Sequence, residues 1–226
     1  MRKVKKFKLT SEFIVDISGV KLFRIKALIE FGNVKAGDLG GYIEKEENLS
    51  HMGDAWVSDD ARISGDAQVF GNARVSGDAQ VSGDARVSGD AWVFGDARVS
   101  GNARVSGNAR VSDDARISGD AWVFGDAWVF GDARVFGNAR VSGDAQVSGD
   151  ARVSGDKDYA YAHGFGSCNR TTTFFRLKDG DVGVRCGCFY GTLAQFRDKV
   201  CETHGETKKA QEYLMLADLM EIRFKN

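Results

Sequence analysis

Apolar and polar residues alternate through the middle of the chain with a fixed six-residue period. From Gly53 to Ser154 the pattern Gly-Asp-Ala-x-Val-x repeats without insertion or deletion over 102 residues, or 17 hexads. Ala and Val fall on one face of each short extended segment, and the residue between them falls on the other. The Gly-Asp pair is typical of a corner, because glycine tolerates a positive φ and aspartate bonds to nearby backbone. The pattern predicts short strands, joined by tight corners, in an all-β solenoid of the hexapeptide β-helix type.

Different patterns precede the repeat. Residues 1–40 are rich in alternating apolar residues, which predict a hairpin about Ser18-Gly19 and an N-terminal β cap over the solenoid's open strand edge. Ile43 and Leu49 occupy the alanine phase of weaker hexads. We therefore assign residues 41–156 to the hexapeptide-repeat β-helix.

After the repeat the composition changes, and Lys, Glu, Leu and Cys reappear. A hairpin is predicted around Lys178, followed by a helix from about Thr192 to His204 that begins with a Thr-x-x-Gln capping box. A second helix from about Thr207 to Phe224 carries apolar residues at spacings of three and four. Residues 157–226 are thus predicted to form a small α+β domain of one hairpin and two helices.

Composition and charge narrow the function classes. The chain has 28 Gly and no Pro, which fits an uninterrupted ladder because proline would remove a donor. The net charge of −1 gives no bulk attraction to nucleic acid. No apolar run approaches the ~18 residues of a membrane span, and the basic N-terminus leads into no apolar signal region. Four irregularly spaced cysteines do not indicate a disulfide scaffold, so we expect a cytoplasmic protein.

The Gly-Asp-Ala-x-Val-x hexads resemble the hexapeptide-repeat family, whose fold is a left-handed parallel β-helix with three hexads in each triangular turn. The flanks carry a second resemblance. Its residues are the segment from Leu22 to Ile43, Cys188-Phe-Tyr-Gly-Thr and Thr203-His-Gly. With the repeat, these segments resemble phage and prophage hexapeptide-repeat proteins that are described as acyltransferases. This resemblance implies a phage-encoded protein of the bacterial cytoplasm and no established chemistry.

A CoA-dependent acyltransferase of this family would use a histidine general base between the subunits of a trimer, with acetyl-CoA as a cofactor. The repeat contains no histidine and no loop that could build a pocket. His51 falls in the valine phase of a degenerate hexad, His163 is expected in an exposed loop, and His204 precedes a helix-ending glycine. The sequence therefore favours a protein without catalytic residues or cofactor, with His163 and His204 as the bases of the enzyme alternative.

A metal site is also disfavoured. Cys186, Cys188, Cys201 and His204 supply a possible ligand set, but they lack the paired C-x₂-C spacing of zinc sites. Cys186 and Cys188 are expected on one strand face, as buried thiols.

The variable fourth position of each hexad carries the remaining information. With three hexads in a turn, Trp and Arg alternate along the first face, and three hexads in succession end in Phe. Because Ala and Val fill the interior, these side chains are expected to point outward, where aromatic residues usually mark an interface. Duplication of whole repeat units is the other explanation for the recurring Trp. The candidate interface residues are Trp56, Arg74, Trp92, Phe94, Arg110, Trp122, Phe124, Trp128, Phe130 and Phe136.

We expect a non-catalytic β-solenoid scaffold that forms homo-oligomers through these residues, with a trimer favoured by the family resemblance. A host protein is a further possible partner. Nucleic-acid binding is disfavoured because the chain lacks a basic patch. The repeat carries 15 Asp and 10 Arg, and Asp rows suggest DNA mimicry as a minor alternative, although the neighbouring Arg cancels most of that charge.

Overall fold

The N-terminal segment forms an antiparallel hairpin that leads into the solenoid. The computed structural model describes residues 5–166 and 170–225. Strand β1 (Phe7–Val15) pairs with β2 (Lys21–Ala27), and β2 pairs in turn with β3 (Leu39–Ile43). A 3₁₀ helix follows at Glu46–Asn48.

The repeat folds into a parallel β-solenoid of about six turns, built from strands of two residues. Each strand consists of the fourth and fifth residues of a hexad, which is one residue shorter than the Ala-x-Val pattern predicts. In chain order the strands are β4 Trp56–Val57, β5 Arg62–Ile63, β6 Gln68–Val69, β7 Arg74–Val75, β8 Gln80–Val81, β9 Arg86–Val87, β10 Trp92–Val93, β11 Arg98–Val99, β12 Arg104–Val105, β13 Arg110–Val111, β14 Arg116–Ile117, β15 Trp122–Val123, β16 Trp128–Val129, β17 Arg134–Val135, β18 Arg140–Val141, β19 Gln146–Val147 and β20 Arg152–Val153.

These strands stack into three flat faces. Face one holds β4, β7, β10, β13, β16 and β19, face two holds every third strand from β5 to β20, and face three every third strand from β6 to β18. Strand partners are three hexads apart, as in Trp92 with Arg110 and Arg98 with Arg116, so the predicted columns are confirmed. The Ala and the Val or Ile of every hexad are buried, and together they fill the interior.

Glycine opens most of the hexads because each corner needs a positive φ and a close approach of backbone. At Gly101 φ is 66°, and an added Cβ would lie 3.0 Å from the backbone nitrogen of Gly119 in the next turn. Asp59 and Asp113 replace glycine at φ 57° and 56°. Aspartate tolerates this region, and the Asp113 carboxylate accepts the Gly131 N–H at 3.0 Å.

The first turn differs from the predicted phase. Ile43 pairs with Ile63 and Leu49 pairs with Val69, so both stand in the valine position of their turn. Each of them is separated from its pairing partner by three hexads plus two residues. The reason is that the corner from Ser50 to Met52 is longer than the corners of the regular hexads. The prediction that Ile43 and Leu49 occupy the alanine phase is therefore wrong.

The C-terminal residues form a four-stranded antiparallel sheet covered by two helices. Its strands are β21 (Tyr159–Phe165), β22 (Arg170–Arg176), β23 (Val182–Cys186) and β24 (Phe189–Thr192). The helices are α1 (Leu193–His204) and α2 (Lys208–Phe224), and Thr192 and Gln195 form the predicted capping box. Phe174, Phe196 and Tyr213 pack edge to face in the core between the sheet and the helices.

The N-terminal end of the solenoid exposes carbonyl groups, because the N–H groups of the fourth and sixth hexad positions donate to carbonyls of the next turn. On face one, the buried Lys6 ammonium donates to the carbonyls of Gly53 and Ala55, at 3.1 and 2.7 Å. On face two, the N–H of Tyr42 donates to the Ala61 carbonyl at 2.9 Å. On face three, the buried Asn48 amide donates to the carbonyls of Gly65 and Ala67, at 3.0 and 2.9 Å.

The opposite end exposes N–H groups, and side-chain oxygens of the C-terminal unit accept them. Thr173 Oγ1 accepts the Gln146 N–H at 3.0 Å on face one, and Tyr159 Oη accepts the Ser142 N–H at 3.3 Å on face three. Asp158 Oδ2 accepts the Ser154 N–H at 2.9 Å. Donors therefore close one end of the ladder and acceptors close the other.

Replacing the donor on face one tests this arrangement. Lys6→Met leaves the buried Ala55 carbonyl and the part-buried Gly53 carbonyl without this donor, which should lower the free energy of unfolding by about 2 kcal/mol. Lys5→Met is the matched control, since Lys5 makes a half-exposed ion pair with Glu46 and should cost about 0–1 kcal/mol. Chemical denaturation of the three proteins at neutral pH measures both effects, and equal losses in the two variants would contradict the proposed role of Lys6.

The same variant has a pH signature. Burial lowers the pKa of Lys6 from 10.5 to about 8, so the folded state releases this proton before the unfolded state does. Between pH 8 and 10.5 the unfolded chain binds more protons at this site, and the stability of the wild type should rise relative to Lys6→Met. A stability difference that stays constant over this pH range would show that the Lys6 ammonium is not desolvated.

Candidate interaction surface

Face one carries the predicted column of Trp and Arg. Trp92 is its most accessible aromatic residue, with 44% of its surface exposed, and the Arg110 guanidinium lies 5.9 Å from its ring centroid. The Phe94 ring stands nearly perpendicular to Trp92, 6.2 Å away. A cation–π contact between neighbouring turns is therefore present at this position.

The first tryptophan of the column is covered by the chain itself. Trp56 is 7% exposed, because the Phe31 ring packs edge-on against it with centroids 5.4 Å apart. Gly40 also passes so close that a Cβ there would meet the indole ring. The expectation that Trp56 points outward as an interface residue is wrong, since the N-terminal segment occupies that place.

The last tryptophan of the column is half-buried near the C-terminal unit. The rings of Trp128 and Phe130 lie 4.5 Å apart, and the Trp128 indole donates to Ser112 Oγ at 3.1 Å. Arg185 of β23 reaches over the Phe130 ring, 5.3 Å from its centroid. The accessible aromatic surface of face one thus centres on Trp92.

The other predicted aromatic residues lie on different faces. Trp122 and Phe124 pair on face three with ring centroids 4.5 Å apart, and the Trp122 indole donates to Ser106 Oγ at 3.0 Å. Phe136 stands on face two and is 37% exposed. The three successive Phe residues therefore occupy three faces, as predicted, and do not form one patch.

A shallow groove with a polar edge runs beside Trp92. It is lined by Arg74, Trp92 and Arg110 of face one and by Asp and Asn residues of the adjacent corner. Asn72 donates to Asp90 at 3.0 Å and Asn108 donates to Asp126 at 2.9 Å, which holds this edge in place. An aromatic centre with an ordered polar rim is the usual composition of a protein–protein interface.

The two candidate general bases stand apart from this groove. His163 lies on strand β21 and not in the predicted loop, and its half-exposed ring is 2.9 Å from Thr171 Oγ1 and 3.8 Å from Asp144. His204 is the last residue of α1 and stacks on Tyr213 with centroids 5.8 Å apart. A small cavity of the C-terminal unit includes His204 in its lining and does not include His163.

The cysteines do not sit as predicted. Cys186 ends β23, whereas Cys188 belongs to the two-residue turn that Gly187 opens at φ 58°. Cys186 is half-buried and accepts a hydrogen bond from Thr172, while Cys188 and Cys201 are exposed. The predictions of one shared strand face and of buried thiols are therefore wrong. Within residues 5–166 and 170–225, no group of three or more His, Cys, Asp or Glu side chains is arranged to hold a metal ion.

A titratable cluster that the sequence did not reveal lies at the N-terminal end. The His51 ring stacks on Phe7 with centroids 4.4 Å apart, and its Nδ1 accepts the Lys6 backbone N–H at 3.2 Å. Its Nε2 is buried, 3.8 Å from Glu46 Oε2. Burial lowers the pKa of His51 below its usual 6.5. The longer corner at Ser50–Met52 places His51 here, and a strict six-residue phase would not.

The repeat is similar to the YdcK β-solenoid repeat, whose family model matches residues 67–79, 79–95, 97–113, 103–116, 133–146 and 145–156. A search of curated proteins found no match. The chain is thus a β-solenoid repeat protein. Among the described residues, neither helix has the length and apolar character needed to cross a membrane.

Protonation of His51 should loosen the N-terminal hairpin. A proton on Nδ1 would face the Lys6 N–H and break that hydrogen bond. Because the folded-state pKa lies below 6.5, the unfolded state takes up the proton first, and stability should fall as the pH drops below about 6.5. Hydrogen exchange of β1 amides at pH 7 and pH 5 measures this effect, as the protection factor of each amide after its exchange rate is corrected for pH.

His51→Gln is the control variant, since its amide oxygen can accept the Lys6 N–H without titrating. Protection factors that fall equally at low pH in the wild type and in His51→Gln would rule His51 out as the source.

Proposed function

We propose that the chain is a non-catalytic interaction scaffold whose Trp92 surface on face one buries against another protein. The observation that carries this proposal is an exposed Trp92, held by Arg110 and Phe94 and edged by a hydrogen-bonded row of Asn and Asp. A large aromatic side chain in a fixed position loses little conformational freedom when it is buried, which makes it a good anchor.

The occupant that we propose is a second copy of the chain. Rigid, flat faces can meet along several turns, and the family resemblance favours a trimer. In a phage setting the same surface could take a host protein of the bacterial cytoplasm, and that outcome belongs to the test below.

The acyltransferase alternative receives less support from the geometry. That chemistry asks for a histidine aimed into a cleft that can hold a CoA thioester. His163 is half-exposed on a strand and bonded to Thr171, and the His204 ring lies against Tyr213. The inward positions of the solenoid all carry Ala, Val or Ile.

Removing the anchor tests the proposed interface. Light scattering on the wild type should give a mass of more than one chain, and Trp92→Ser/Trp128→Ser should reduce it, because the main apolar contact is lost. The matched control is Phe70→Ser, which removes a similarly exposed aromatic residue from face three. A mass that the double variant leaves unchanged would remove face one as the interface, and a monomeric wild type that captures a host protein through Trp92 would make that protein the partner.

Acetyl-CoA tests the enzyme alternative. We expect acetyl-CoA and CoA to leave the thermal unfolding midpoint unchanged, since ligand binding to the folded state would raise it. A reproducible rise that His163→Ala or His204→Ala abolishes would favour the transferase and overturn the scaffold.

A further inference from the structure

One corner of the solenoid carries an uninterrupted column of carboxylates. It lies between faces one and two, and its members repeat once per turn, about 4.8 Å apart along the axis. All of them are exposed: Asp60, Asp78, Asp96, Asp114, Asp132 and Asp150. Like charges at this spacing repel one another, so the column needs cations beside it or across from it.

The other two corners relieve part of this repulsion within the chain. Asn alternates with Asp at the corner beside Trp92, where Asn72 and Asn108 donate to the next aspartate. At the corner before face three, Asn102 donates to Asp120 at 3.0 Å. The column from Asp60 to Asp150 contains no asparagine, and it is the one corner column without such an interruption.

A column of arginines runs parallel to these carboxylates on face two. Arg98, Arg116 and Arg134 stack in adjacent strands, each two residues after an aspartate of the column, and all three are exposed. Within the described part of the chain, none of the three makes an ion pair with a carboxylate at 4.0 Å or closer. Face two therefore presents one negative stripe beside one positive stripe. The three arginines make no ion pair with the aspartates beside them.

We propose that face two pairs with face two of a second copy of this chain, with the two solenoids parallel. A partner of one charge sign, such as a nucleic acid or a basic peptide, would meet repulsion from one of the two stripes. A matching partner must carry both stripes at the strand spacing of about 4.8 Å, and a second solenoid of the same sequence does so. This interface is separate from the Trp92 surface and does not depend on it.

The order of the stripes fixes the orientation. A two-fold axis parallel to the solenoid, placed between the two stripes, brings each aspartate opposite an arginine of the second copy. The resulting pairs are Asp96 with Arg98, Asp114 with Arg116 and Asp132 with Arg134. A two-fold axis across the solenoid would bring like charge opposite like charge. The self-complementary contact of a two-fold dimer therefore favours the parallel pair.

The sixth-position residues of face two allow the two copies to approach closely. The sixth position of the hexads on this face is Ser at four successive turns, from Ser64 to Ser118, before Phe136. Small side chains beside the arginines leave the face flat. The contact is narrow and charged, so the pair should be weak and sensitive to salt, which screens charges beyond about 10 Å at 0.1 M.

The experiment is done on Trp92→Ser/Trp128→Ser, so that association through face one is removed. Sedimentation equilibrium should give a mass of two chains at about 0.05 M salt and one chain at about 0.5 M salt. The oligomer of the wild type tests the face-one proposal, and the salt-dependent pair of the double variant tests the face-two proposal. Either proposal can therefore be contradicted without the other.

Charge reversal identifies the surface. On this background, Arg98→Glu/Arg116→Glu/Arg134→Glu should be monomeric at low salt, and so should Asp96→Lys/Asp114→Lys/Asp132→Lys, because each puts like charges across the interface. An equimolar mixture of the two should regain the mass of two chains, since an all-negative face then meets an all-positive one. The matched control, Arg86→Glu/Arg104→Glu/Arg140→Glu on face three, should remain paired.

Thermal unfolding of each variant checks that it is folded, and the mixing step requires folded proteins in any case. The proposal is overturned if the background protein has the same mass at both salt concentrations, if the face-three control dissociates as the face-two variant does, or if the mixture stays monomeric.

Discussion

The backbone hydrogen bonds that flank each two-residue strand all run in one direction along the solenoid, and the closure of its two ends depends on that direction. The N–H groups of the fourth and sixth hexad positions donate to the next turn, so carbonyls of the third and fifth positions face the first end and these N–H groups face the second. Lys6 and Asn48 supply donors at the first end, and Thr173 and Tyr159 supply acceptors at the second. The two flanking segments therefore present hydrogen-bonding groups of opposite kind to the two ends of the solenoid.

The sequence predicts the solenoid well because its period is strict. Pairing partners such as Trp92 and Arg110 follow from counting three hexads along the chain, and the capping box at Thr192 follows from local spacing. Features that depend on tertiary contacts or on a local change of phase escape this reasoning. The burial of Trp56 under Phe31 and the longer corner at His51 are of this kind, since neither leaves a signal in the repeat.

The regular interior also determines where a function can lie. Ala, Val and Ile fill the inward positions, so no inward residue of the repeat is available for chemistry. Most of the variation lies at the fourth and sixth positions of each hexad and in the choice of Asp or Asn at the corners. The same backbone thus carries an exposed aromatic side chain at Trp92 and a column of arginines through Arg116, on faces that point in different directions.

The three-sided turn has a consequence for how such a chain can change in length. Inserting or deleting three hexads adds or removes one turn of about 4.8 Å and leaves the two end units in the same relative orientation. Inserting a single hexad would instead rotate the C-terminal unit about the axis by about 120° relative to the N-terminal hairpin. The number of hexads therefore sets an angle as well as a length, and only steps of three hexads change the length and keep the angle.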